Sequence, residues 1–311
     1  MDHARWDVID LMLPFYGDVG LLQATVGSVI AQEDPNWRLT VVDDHYPDPT
    51  VATWFADLGD NRVRYLRNET NLGINRNFQR CVDLVEADRA VLLGCDDLLL
   101  PNYVAVIRRL HAAHPDAGII QPGVEVIDSQ GRPTRTLVDE AKRRLYAPRF
   151  SGTLELGGED LAVSLLRGNW LYFPSLAWRS KALQGTGFRD GLATIQDLAL
   201  VIDLLQAGET MVVDDEVCFQ YRRHLASVSS SRAVAGSRFQ EERTYFAEVA
   251  DRLRDQGWNR AAQTARLHLS SRLHALTLLP RAIGTGNRDG VRTLGRHAFG
   301  SGRESVPAGQ G

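Results

Sequence analysis

Hydrophobic and polar positions follow two alternating rhythms over the first third of the chain. Val8 to Phe15 is an apolar run with a polar interruption at Asp10, and Leu39–Val42 and Ala90–Leu93 repeat it in shorter form. Runs of this kind that stop abruptly at polar residues predict buried strands of a parallel sheet. Between them, Gly20–Gln32 carries Leu21, Leu22, Val26, Val29 and Ile30 at helical spacing, and Leu72–Val85 carries Phe78, Val82 and Val85. A turn at Tyr46-Pro47-Asp48-Pro49 leads into a short helix through Trp54 and Phe55. Arg62–Leu66 alternates as a further strand. Pro101 sits at the favoured first position of the next predicted helix. Repeated β-α units of this length predict an α/β, doubly wound sheet with right-handed crossovers.

The rhythm changes after about residue 117. Gly118–Ile127 reads as a strand, 128–150 as a charged loop, Glu159–Leu166 as a helix and Leu171–Trp178 as a strand. Gln196–Gln206 is helical, with Leu200, Val201, Leu204 and Leu205 inward, and Met211–Tyr221 is another strand. From about Ser237 two amphipathic helices are predicted, Phe239–Leu253 and Ala261–Leu279. The Gly- and Arg-rich stretch from Gly284 to Gly311 is expected to fray. This divides the chain into 1–116, 117–236 and a helical extension, 237–311.

Composition narrows the class without naming it. The 311 residues are 44% hydrophobic and 24% charged, an ordinary globular balance, and the net charge of −4 argues against general nucleic-acid binding. Cys81, Cys95 and Cys218 have no paired spacing, so reduced thiols are expected rather than disulfides or a zinc site. No apolar run approaches a membrane span, and the first residues do not resemble a signal peptide. The expected location is cytoplasmic, with peripheral contact at the inner face of the membrane as an open addition.

The chemistry gathers at strand ends. Asp43-Asp44 closes one predicted strand and Asp96-Asp97 another. In an open α/β sheet the ligand sits outside the carboxyl ends of the strands. Carboxylates collected there repel one another unless a cation compensates, and hard oxygen ligands suit Mg²⁺ or Mn²⁺ carrying a diphosphate.

Several ordered motifs extend this picture. They are Leu13-Pro14-Phe15-Tyr16, Ser28-Val29-Ile30-Ala31-Gln32, Val42-Asp43-Asp44, Asn71-Leu72-Gly73 with Arg76-Asn77, and Cys95-Asp96-Asp97. Gly187-Phe188, Gln196-Asp197 and Tyr221-Arg222-Arg223-His224 follow. In this order the chain resembles family-two glycosyltransferases of the GT-A fold over roughly residues 8–230. The resemblance implies a metal-dependent inverting enzyme that moves a sugar from a nucleoside-diphosphate sugar to an acceptor hydroxyl. The setting it implies is glycan, cell-envelope polysaccharide or glycoconjugate biosynthesis. UDP is the first expected nucleotide, with GDP and dTDP open, and the acceptor is a glycan or a lipid-linked molecule.

Residue by residue, the resemblance assigns Pro14, Phe15, Tyr16, Asp43, Asp44, Arg76 and Asp96 to the nucleotide. Asp97 and His224 fall to a Mn²⁺ or Mg²⁺ ion, and Arg222 and Arg223 to phosphate. Trp170 and Gln196 face sugar or acceptor, and Asp197 is the catalytic base. Two departures stand out: His45-Tyr46 replaces the usual Gly-Ser after the first acid pair, and Gln196 replaces a Glu. His45, His111 and His114 read as structural or solvent-exposed.

Two other classes compete. Sugar nucleotidyltransferases carry a basic Gly-rich loop after the first strand, whereas Leu13-Pro14-Phe15-Tyr16-Gly17-Asp18 has no base. A degenerate nucleotide-sugar-binding scaffold is kept open by His45-Tyr46 and opposed by Asp97 and Asp197 together. The C-terminal helices combine Arg260, Arg266, Arg272 and Arg281 with many leucines. Packing against the catalytic domain or a second subunit is the favoured expectation, with a lipid interface open.

Overall fold

The computed structural model of the chain describes residues 8–135, 144–192, 194–223, 237–284 and 288–299. They divide into two compact units, Met1–Gly158 with Trp170–His224, and Glu159–Asn169 with Leu225–Gly311.

The first unit is built on a mixed sheet. Its elements are β1 (Ile9–Phe15), α1 (Val19–Ile30), β2 (Trp37–Asp43), α2 (Thr50–Asp57), β3 (Val63–Arg67) and α3 (Ile74–Asp83). Then follow β4 (Arg89–Leu92), β5 (Leu98–Leu99), α4 (Tyr103–Ala113), β6 (Ile119–Ile127) and β7 (Thr153–Gly157). After α5 (Gly158–Arg167) come β8 (Ala177–Arg179), α6 (Ser180–Thr186), α7 (Gln196–Gln206) and β9 (Thr210–Arg222). The strand order is β3-β2-β1-β4-β8-β6-β9-β5, with β7 also on β9. Strands β1 to β4 run parallel, as the apolar runs predict. β8 is inserted antiparallel between β4 and β6, which makes the sheet mixed.

This topology creates the crevice. β1 is flanked by β2 on one side and β4 on the other, so the chain reverses its lateral direction there. Ligands in open α/β sheets bind outside the carboxyl ends at such a reversal. The core beneath is sealed by Leu11, Leu13, Phe15, Val41, Leu93 and Phe219, all fully buried. Asp10, the polar interruption of β1, accepts the backbone N–H groups of Glu86 and Ala87 and the Arg38 guanidinium, so its burial is compensated. Between β6 and β9 the register slips at Gly123, where a Cβ would lie 2.7 Å from the Asp215 carbonyl. Only glycine lets the two backbones approach that closely.

Four expectations change. Leu171–Trp178 is not one strand: Pro174, with no N–H to give a ladder, lies in a 3-10 turn at Phe173–Ser175, and only Ala177–Arg179 pairs. The helix after Pro101 starts at Tyr103, while the Pro101 carbonyl accepts the Glu33 N–H. Ala261–Leu279 is two helices, because His268 adopts a left-handed backbone with φ 41°. The stretch after Gly284 contains a helix.

In the second unit α8 (Ser237–Asp255), α9 (Asn259–Leu267), α10 (Leu269–Gly284) and α11 (Arg288–Phe299) join α5. Glu159 caps α9 by accepting the N–H groups of Arg260 and Ala261 at 2.6 and 3.1 Å. Of the C-terminal arginines, Arg260 pairs with Asp160 and Arg266 with Asp251. Between α10 and α11 the buried core is Ala275, Ala282, Leu294 and Ala298. Among the described residues no helix is long and apolar enough to cross a membrane.

Candidate active site

The acidic pair after β4 is held from three sides. Gly94 makes room for it: a Cβ there would lie 2.4 Å from Asp97 Oδ2 and 3.1 Å from Asp96 Oδ1. The Thr25 hydroxyl of α1 donates to the Asp97 carbonyl at 2.8 Å. From the end of β9, the Arg222 N–H donates to Asp97 Oδ1 at 2.8 Å and its Nε to the Asp96 carbonyl at 2.7 Å. Asp97 is 1% exposed and, among the described residues, its Oδ2 has no hydrogen-bond partner. Burial first, then the charge of Asp96, holds the Asp97 carboxyl well above the usual range, against the Arg222 N–H and the Arg222 and Arg223 charges. A buried oxygen without a donor, beside a second carboxylate, fits a hard cation. Burial also pushes the neighbouring Cys95 thiol up to about 12, so it is no nucleophile at neutral pH.

Asp43 and Asp44 are bound inward. Asp43, fully buried, accepts the Tyr46 N–H at 2.6 Å and the Tyr65 hydroxyl, with Arg67 at 3.8 Å. Burial, with that hydrogen bond to Asp43, raises the Tyr65 phenol. Asp44 accepts from Asn68 Nδ2 at 2.8 Å, the Leu72 N–H at 2.7 Å and the Gly73 N–H at 2.9 Å. It thereby fixes the Asn71-Leu72-Gly73 turn that starts α3. His45, next after Asp44, has φ 60°, the conformation a glycine would take without strain, and its Nδ1 lies 3.1 Å from the Asn68 carbonyl. The replacement of Gly-Ser by His45-Tyr46 is therefore accommodated by a strained histidine tied to its neighbour. Pro14 pairs in register with Val42 and Phe15 with Asp43, while Tyr16 projects outward against Tyr46. Arg76 is exposed on the first turn of α3.

The third group lies at the start of α7. Asp197 is in its first turn, and Gln196 is buried with Oε1 accepting from Asn75 Nδ2 at 2.9 Å. The same amide of Asn75 reaches the carbonyls of Arg189 and Leu192, so α3 and the approach to α7 are fastened together. Gln in place of Glu suits this contact, since a neutral amide oxygen accepts it without adding a buried charge.

Tyr221 on β9 feels two of these groups, the acid pair after β4 and Asp197. Burial pushes its phenol up to about 12; Arg223 opposes the rise, and Asp97, Asp96 and Asp197 each add to it. These carboxylates come from two places, the loop after β4 and the first turn of α7. The Arg223 guanidinium lies 5.2 Å from the Tyr221 ring and the Tyr172 ring 5.2 Å from it on a different contact. Arg222 is turned inward, its guanidinium on the carbonyls of Asp96, Asp128 and Ser129. Trp170 is buried and, with Tyr172, walls a cavity of about 890 Å³ whose other lining includes Gln121, Glu125, Arg135 and Phe150. His224 lies outside the described residues. Tyr65, Asn68, Asn75 and Tyr172 were not singled out by the sequence, because each acts through a partner distant along the chain.

Comparison with known proteins follows this geometry. The profile of Glycosyl transferase family 2 matches residues 10–171. The uncharacterized protein MT1568 of Mycobacterium tuberculosis is 25% identical over 236 residues, 74% of this chain and 72% of that one. The uncharacterized protein y4gI of Sinorhizobium fredii is 33% identical over 116 residues, 36% of this chain and 13% of that one. Among solved structures, Staphylococcus aureus TarS 1–349 in complex with UDP-GlcNAc is similar with a TM-score of 0.61. Identity there is 13%, with 92% of this chain and 90% of that one covered, so the likeness concerns the fold.

Proposed function

Because the chain belongs to glycosyl transferase family 2, we propose that it transfers a sugar from a nucleoside-diphosphate sugar to an acceptor hydroxyl with inversion at the anomeric carbon. The observation that carries this reading is Asp97, buried beside Asp96 after β4 with one carboxylate oxygen lacking a donor among the described residues, in a chain that also places Asp197 in the first turn of α7. One carboxylate group then serves the leaving diphosphate and the other the incoming hydroxyl, as an in-line displacement requires.

In this reading Asp197 accepts the proton of the acceptor hydroxyl as its oxygen attacks the anomeric carbon. The bond from that carbon to the diphosphate oxygen breaks, and the nucleoside diphosphate leaves on the opposite face. Arg223, beside Tyr221, takes the phosphate contact, since Arg222 is committed to backbone carbonyls. Asp97 and its unpartnered oxygen would hold Mg²⁺ or Mn²⁺, with His224 as a second ligand. When bound, such an ion supplies positive charge against the diphosphate. Asp43, Asp44, Pro14, Phe15, Tyr16, Arg76 and Asp96 form the nucleotide side, with the two inward-bound acids acting by ordering Tyr46 and the Leu72-Gly73 turn. Trp170 and Tyr172 offer flat faces to sugar or acceptor, and Gln196 positions the base through Asn75.

A UDP-sugar is the first donor to test, because a protein of the same fold was crystallised with UDP-GlcNAc. A glycan or lipid-linked acceptor of the cell envelope is the matching class. Calorimetry of UDP with Mn²⁺ on the wild-type chain and on Asp97→Ala tests the assignment. Binding should require the metal and vanish in the variant. Equal binding in both, with or without chelator, overturns the metal role. Tight binding with neither hydrolysis nor transfer of any UDP-sugar would favour a scaffold instead.

A further inference from the structure

The helical unit holds a second cluster of ligand-type side chains, unrelated to the acid pairs. Glu242 on α8, His268 at the break between α9 and α10, and His297 in the last turn of α11 are each buried, at 3%, 7% and 5% exposed. One ligand atom from each lies within 4.8 Å of the others, and His268 Nε2 is 3.8 Å from Glu242 Oε2. Ser271 sits among them: its hydroxyl contacts the Glu242 carboxylate and lies 2.9 Å from His297 Nε2.

We propose that Glu242, His268 and His297 form a transition-metal site of the Zn²⁺ class that pins three helices of this unit together, with the Ser271 oxygen beside the fourth position. Zn²⁺ binds imidazole and carboxylate at ~2.0–2.2 Å, which needs donor atoms roughly 3–4 Å apart. The His268–Glu242 separation already meets that requirement. Two neutral imidazoles and one carboxylate offset a divalent charge in part, and nitrogen donors select Zn²⁺ or Co²⁺ over the Mg²⁺ or Mn²⁺ suited to oxygen ligands.

The scaffold holds the ligands in place. His268 has a left-handed backbone, φ 41° and ψ 44°, which ends α9 and begins α10. Strain of this kind persists only where surrounding structure over-determines it. Its ring is stacked on Phe246, centroids 3.5 Å apart at 15°, and meets His297 edge-on at 5.5 Å. Around the α10–α11 contact the buried core is mostly alanine, which buries little apolar area. A structural ion contributes folding free energy in such small cores.

The test uses the full chain, chelated and then titrated with Co²⁺ and Zn²⁺. One Co²⁺ per chain with the visible absorption of tetrahedral nitrogen-oxygen ligation is expected, along with a thermal midpoint that falls with chelator and returns with Zn²⁺. His268→Gln and His297→Gln should each abolish the Co²⁺ spectrum, Ser271→Ala should weaken affinity roughly 10–100-fold, and Asp97→Ala should leave both unchanged. The wild-type spectrum and midpoint stand as readouts even if a histidine variant fails to fold. Absence of that spectrum in the wild-type chain, its persistence in both folded histidine variants, or its loss in Asp97→Ala overturns the proposal.

Discussion

At the end of β4, two adjacent carboxylates are steadied by backbone groups, with the Arg222 N–H on Asp97 Oδ1 and a glycine beneath them. In the helical unit, one carboxylate meets two imidazoles drawn from separate elements, and aromatic packing holds the rings. Both clusters take ligand-type groups out of water. Among the described residues the first offers only oxygen, and burial, then the like charge of Asp96, raises Asp97. The second mixes nitrogen and oxygen with a single formal negative charge. The difference teaches that burial alone does not specify a cation: donor element and net charge do. In the readings proposed above, the first cluster serves an ion that arrives with a diphosphate, the second one that stays.

The sharpest separation of the two should come from Asp197→Asn. Turnover is expected to fall ~10²–10⁴-fold, while UDP affinity and the Co²⁺ spectrum of the helical unit hold. Near-wild-type transfer with the true acceptor would remove Asp197 from the chemistry.

Gly94→Ala is the next largest probe, and it strikes the oxygen cluster alone. Its Cβ would sit 2.4 Å from Asp97 Oδ2, so the carboxylate must shift at a cost of ~1–3 kcal/mol. Metal-dependent UDP binding should weaken accordingly in calorimetry, with Zn²⁺ stabilisation unaffected. Unchanged UDP affinity would mean that the position of Asp97 does not matter to the donor.

Acid stability sharpens the comparison further. His111 contacts the Arg89 guanidinium at 2.6 Å, and burial first, then the Arg89 charge, lowers it to about 4, with Asp88 opposing. The unfolded chain, with histidine near 6.5, then binds more protons than the folded one between 6.5 and about 4. Stability is full above 6.5 and declines as pH falls through that window. Urea midpoints across it should show the decline, and His111→Gln should flatten it in part, since burial also lowers His297 to about 4. A profile flattened only by His297→Gln would put the acid-sensitive imidazole in the helical unit instead.

The smallest effect contrasts two histidines with left-handed backbones, His45 at φ 60° and His268 at φ 41°. His45→Gly should relieve strain and stabilise by up to ~1 kcal/mol, less what the Asn68 contact contributes. His268→Gly relieves similar strain yet should lose Zn²⁺ stabilisation. Equal thermal shifts in both, with Zn²⁺ present, would show that His268 does nothing beyond ending its helix.

Much of the sheet was legible along the chain, because a buried parallel strand must be apolar on both faces and must end where solvent begins. Asp96 and Asp97 are read for the same reason: adjacent acids after such a run have few other uses. The resemblance through Asn71-Leu72-Gly73 and Gln196-Asp197 extends the reading to Asp197, the proposed base. Tertiary structure alone decided the rest. β8 is three residues long and is made a strand by its neighbours on both sides, not by its own pattern. Arg222 looks like any basic residue after a strand, and only the fold turns it onto the carbonyls of Asp96 and Asp128. Glu242, His268 and His297 share no period and no motif. Helix packing brings them within ligand distance, and spacing along the chain cannot encode a meeting made by three separate elements.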